Sequence, residues 1–109
     1  MKEFKGTPGP WRFDEQEAFS GGPVFYIAQD DNAKYTPNYS DVSQTCSGEL
    51  KHIQRANAQL IAAAPDLLEV MQDVIEQWKV EHDEKGEPQP LWVKNGLRAI
   101  SKALGGGVI

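Results

Sequence analysis

Two basic clusters are the residues best suited to hold a ligand. Lys51, His52 and Arg55 stand close together, and Lys51 and Arg55, four apart, share a face if their segment is helical. Lys94, Arg98 and Lys102 repeat the four-residue step further along. Either set could clamp a phosphate, the arginine fork being suited to bidentate contact. Tyr26, Tyr35, Tyr39, Trp78 and Trp92 offer flat faces on which a base could stack. If the loop carrying Tyr35 and Tyr39 folds over Lys51 and Arg55, stacking joins phosphate clamping, and a nucleotide-type ligand suits that pairing. The plainer reading pairs these cations with Asp66, Glu69, Asp73 and Glu76 and leaves every face solvated.

Asn57 interrupts an apolar row between Ile53 and Leu60. An amide buried without partners costs about 1–3 kcal/mol, so it must find some. Three roles stay open: a bond to hairpin or loop backbone that fixes how helix and sheet dock, a ligand contact, or register-setting across a helical dimer. Lys51, Arg55, Asn57, Tyr26, Tyr35, Tyr39 and Arg98 make up the candidate ligand-binding set. No catalytic set emerges. His52 and His82 are the only histidines, without HxxxH or Cys/His spacing, which disfavours zinc. There is no GxxxxGKS phosphate loop and no nucleophile elbow. Cys46 is the single cysteine, so no internal disulfide forms, and no basic neighbour in sequence activates it. The expectation is a non-enzymatic protein without a cofactor.

The elements that position these residues centre on Leu50 to Trp78. Leu50, Ile53, Leu60, Ala64, Leu67, Met71, Val74 and Trp78 form one apolar row, and Ile61, Leu68 and Ile75 a second beside it. Pro65 removes a donor and crowds the preceding turn. Two helices are therefore expected, about 49–63 and 65–80, with one kinked helix as the alternative. Leu60, Leu67, Leu68, Met71 and Ile75 are the expected core, against a hairpin face carrying Phe13, Phe25 or Ile27. Trp11-Arg12-Phe13 and Val24 to Ala28 read as strands of an antiparallel hairpin. Two strands alone are marginal, so a third is expected from around Ser40–Ser43 or from a second copy. Residues 1–10 form an extended arm whose prolines deliver Trp11 to the core. Residues 30–48 are a long polar loop and 79–90 a charged linker. Val93, Leu97, Ile100 and Leu104 mark a last helix, 91–104, ended by Gly105–Gly107. The fold class is α+β: one small domain over 1–109, with an N-terminal hairpin or three-stranded sheet packed on about three helices.

Composition narrows the partners. Apolar residues make up 39% and charged residues 25%, ordinary for a globular chain, with a formal net charge of −5. That balance disfavours duplex nucleic acid and acidic membranes, both of which call for a positive face. No apolar run is long enough to span a bilayer, and the first residues lack a signal core, so a cytoplasmic location is expected. The two apolar rows, with Trp78 and Trp92, exceed what one short hairpin can cover. A homo-oligomer is expected for that reason.

Two segments carry a resemblance. Thr7-Pro8-Gly9-Pro10-Trp11, followed by Ala56 to Glu69 (ANAQLIAAAPDLLE), resembles a loose family of short phage and prophage proteins. Its members have a TPGPW-type opening, a variable β-rich middle and a NAxLIAAAPDLLE-type helical segment. The two motifs cover roughly a fifth of the chain, and nothing from residue 79 onward adds to the match. The resemblance implies a phage origin and expression in the cytoplasm of a bacterial host. It also implies an accessory role against host defence, by binding host proteins or soaking up nucleotide signals. Sequestration of a small nucleotide-type immune signal is the leading expectation. Inhibition of a host defence protein through an acidic helical surface is the alternative, and a small nucleotide-degrading enzyme comes last.

Overall fold

Val24-Phe25-Tyr26-Ile27, β-branched and aromatic in a row, does form the central strand of the sheet. In the computed structural model, which describes residues 3–18, 21–30, 42–46, 48–82 and 85–106, β1 (Trp11–Glu17) pairs antiparallel with β2 (Pro23–Gln29). Phe13 lies opposite Ile27 and Trp11 opposite Gln29. Gly21 enters β2 at φ 91°, a conformation open to glycine at little cost. β3 (Ser43–Gln44) adds antiparallel to the free edge of β2, with Tyr26 opposite Gln44. The third strand thus comes from the chain itself, at the end of the segment that sequence pointed to.

Among the described residues two helices follow, α1 (Lys51–His82) and α2 (Leu91–Ala103). The expected break at Pro65 is absent, and α1 runs through it for 32 residues. Strong helix formers flank the proline: Gln59 to Ala64 on one side, Leu67 to Met71 on the other. The ring also has a receiving surface. A Cβ added to Gly9 would lie 2.7 Å from the Pro65 Cβ, so the arm backbone sits directly on the proline. The motif around Thr7–Trp11 and the motif around Pro65 meet here. Trp11 is held nearby, its Nε1 donating to the Thr7 carbonyl at 3.0 Å. A first expected result follows. Gly9→Ala must push against a ring atom that cannot swing aside, and should cost about 1–3 kcal/mol in a denaturant titration. A change below about 0.5 kcal/mol would show that the arm yields freely.

The chain divides into two compact units within α1. In the first, Lys5–Asp66, Phe25 and Ile27 are buried with Ala58, and Trp11, Phe13, Val42 and Ile61 pack around them. The buried face of this part of α1 runs through Gln54, Ala58 and Ala62, in four-residue steps, with Ala58 against Phe25 and Ile27. In the second unit, Ile75, Val93 and Ile100 are buried, surrounded by Leu68, Trp78, Leu97 and Leu104. Gly96 lets α2 approach Ile75 closely: a Cβ on it would lie 2.8 Å from Ile75 Cδ1. Gly105 and Gly106, both at positive φ, close α2, with the Gly106 N–H on the Ser101 carbonyl at 2.6 Å.

The expected core is corrected in part. Leu60, Leu67 and Met71 are exposed, Leu60 at 65% and Leu67 at 55%. Leu68 and Ile75 do turn inward, into a cluster with Val93 and Ile100 of α2. The row of largest side chains is not the row the sheet covers. No helix among the described residues is long and apolar enough to cross a membrane.

Candidate functional site

Lys51 and Arg55 share a face of α1, as their spacing requires, and both close on one carboxylate of β1. Lys51 Nζ lies 2.9 Å from Glu15 Oε2, and Arg55 Nη2 lies 3.3 Å from Glu15 Oε1. The Arg55 guanidinium also covers the Phe25 ring, 5.4 Å from its centroid. These side chains are about half exposed, so each ion pair adds only a few tenths of a kcal/mol, up to about 1. Their larger effect is to neutralise the cations. The cleft beside them, about 480 Å³, is lined by Glu15 and Glu17 as well as Lys51. A phosphate entering it would meet two carboxylates.

Among the described residues, Tyr26 is not the ring that joins this cluster. The ring that meets Arg55 is Phe25. Tyr26, its neighbour on β2, points to the opposite face of the sheet by strand alternation. Tyr35 and Tyr39, with most of the 30–48 loop, lie outside the described residues. Arg98 belongs to the C-terminal unit, where its Nη1 donates to Asn95 Oδ1 at 3.3 Å.

Asn57 is exposed, which corrects its reading as a buried docking residue. It lines an open groove of about 370 Å³ with Gln44, Cys46 and Leu60. The docking role falls to Gln54, fully buried and one turn earlier. Gln54 Oε1 accepts from the Thr45 hydroxyl at 2.6 Å. Gln54 Nε2 donates to the carbonyls of Pro23 and Glu49, each at 2.9 Å. Thr45 Oγ1 in turn accepts from the Phe25 N–H at 3.0 Å. One amide therefore ties α1 to the start of β2, to the end of β3 and to the approach to α1 itself. Every polar atom of the Gln54 amide is partnered, so the network holds structure and offers nothing to a ligand.

The acids of α1 are not where the cations find their partners. Asp66, Glu69, Asp73 and Glu76 are all exposed, and none forms an ion pair among the described residues. Glu69, Asp73, Glu76 and the exposed Val80 follow at four-, three- and four-residue steps and so share one outer face.

Sequence reasoning also missed His82. Its ring stacks on Trp78, centroids 4.9 Å apart, and its Nδ1 lies 2.5 Å from Glu87 Oε2. This contact pins the chain leaving α1 back onto its last turn. The Trp78–His82 spacing of four was the visible signal. Glu87 gave none, since it arrives through a turn at Gly86, φ 66°. Among the described residues no group of three or more His, Cys, Asp or Glu is placed to hold a metal ion.

A family model described as Salmonella phage P22 protein Y8K6 matches residues 1–107, almost the whole chain. No curated protein matches, and neither does any solved structure.

Proposed function

The chain belongs to the Salmonella phage P22 protein Y8K6 family, and from that premise we propose that it is a phage accessory protein that counters host defence by stoichiometric, non-catalytic binding of a host protein. The outer face of α1 makes the contact. The observation that carries this reading is the division of charge. Lys51 and Arg55 are held by Glu15, whereas Glu69, Asp73 and Glu76 stand exposed and unpaired among the described residues, with the apolar Val80 on the same face at 72% exposure. An acidic row with an apolar member favours a basic protein surface, where charge speeds encounter and apolar contact slows release.

Capture of a nucleotide-type signal is the second reading. It requires Lys51 and Arg55 to leave Glu15 and a phosphate to displace that carboxylate. The exposed Asn57 in its groove is the feature that favours it.

The test compares the tagged protein with a Glu69→Lys/Glu76→Lys variant in phage-infected host cells. A host protein should co-purify at fixed stoichiometry with the unaltered chain, release as salt rises, and bind the variant at least about tenfold more weakly. Equal retention by both proteins would sink the acidic-face reading. Intact nucleotide released on heating the purified protein would put the second reading in its place.

A further inference from the structure

The C-terminal unit buries one seam between its helices and leaves another open. Ile75, Val93 and Ile100 fill the first. Beside it, Val70, Met71 and Val74 from α1 and Trp92, Gly96 and Ala99 from α2 line an apolar groove of about 370 Å³. Val70 is 61% exposed and Trp92 49%. Leu67, also exposed, extends the strip one turn back along α1. Two helices that bury one seam between them and leave an apolar groove beside it are half of a layered core, and bundles complete it with two more helices.

The charged margins say what covers the groove. From Leu67 to His82, α1 carries Glu69, Asp73, Glu76 and Glu81, with Lys79 its only lysine or arginine. α2 carries Lys94, Arg98 and Lys102 and no acid. Asp73 stands three residues beyond Val70, on the outer margin of the α1 side. Arg98 and Lys102 stand three residues beyond Asn95 and Ala99, on the outer margin of the α2 side. The groove is thus edged in acid along one helix and in base along the other.

Such a face is complementary to itself. A two-fold axis running along the helices lays α1 of one copy over α2 of the other, acid edge against base edge. A two-fold axis across the helices lays α1 over α1, acid against acid. Charge selects the first arrangement. We propose that a second copy of this chain docks on the groove, forming a symmetric four-helix bundle in which Trp92 and Val74 fill the shared centre. Asp73 then faces the second copy's Arg98 and Lys102. Glu69, Glu76 and Val80 remain on the outside of each α1, so the dimer presents these three residues twice, without Asp73, and does not depend on any host partner.

Sedimentation equilibrium of the full chain at several concentrations tests this directly. The expected result is a reversible species of twice the 12.1 kDa chain mass. Asp73→Lys and Lys102→Glu, both exposed substitutions whose helicity is checked by circular dichroism, should each raise the dimer dissociation constant about tenfold, and the double swap should restore it to within about threefold. A single 12.1 kDa species at the highest concentration would overturn the proposal. So would an assembly larger than two, single swaps without effect, or a double swap no better than the singles. None of these outcomes alters the host-capture result, which reads Glu69 and Glu76.

Discussion

Replacing Gln54 by Leu should lower unfolding stability by about 3 kcal/mol, because the Thr45 hydroxyl and the Pro23 and Glu49 carbonyls lose the amide that satisfies them. The apolar gain of the leucine does not offset this, since a buried partner left unpaired costs about 1–3 kcal/mol on its own. Asn57→Leu is the matched control. Its side chain is exposed, so the change should stay within about 0.5 kcal/mol. Chemical denaturation of both variants decides the matter. If Asn57→Leu proved the costlier of the two, the docking bond would belong to residue 57 and the network around Gln54 would be incidental. A third variant, Thr45→Val, removes the hydroxyl at nearly constant volume. It should couple to Gln54→Leu in a double-mutant cycle, because the two side chains meet at 2.6 Å.

The exchange of roles between Asn57 and Gln54 shows where periodicity stops being informative. A row of apolar residues at three- and four-residue steps locates an apolar face, and a polar residue on that row draws attention. It does not say which neighbour covers the face. Here the sheet settles on Ala58, whose small side chain admits Phe25 and Ile27, and the buried polar residue is the one four positions before it on the same face, Gln54. The row Leu60, Leu67, Met71 and Val74 is left outside. Strand signals fared better, since Val24 to Ala28 needs only its own composition to be read and its pairing with Trp11–Phe13 follows from proximity in the chain. Pro65 misled for a related reason. The proline's cost is local and legible, whereas its seat against Gly9 joins segments far apart in sequence. The same holds for the candidate site: the shared face of Lys51 and Arg55 was visible, but Glu15 reaches them only through the fold.

The second large effect is expected at Ile75. Its side chain is fully buried and packs with Val93, Ile100, Leu68 and Trp78, so Ile75→Ala removes a branched group from a seam that Gly96 already holds tight. The loss should be about 3–4 kcal/mol, within the 2–5 typical of such truncations. Leu67→Ala, from the row of exposed side chains in the same unit, removes as many carbons but should cost within about 0.5 kcal/mol. Trp78 supplies the probe, since it lies in the same cluster as Ile75. With Trp11 and Trp92 replaced by Phe, its fluorescence follows the C-terminal unit alone through a denaturant titration. The midpoint should fall sharply for Ile75→Ala and stay in place for Leu67→Ala. Equal losses at the two positions would mean that the largest apolar row of α1 is covered within the chain after all. That result would remove the open groove, and with it the reason for a second copy to dock there.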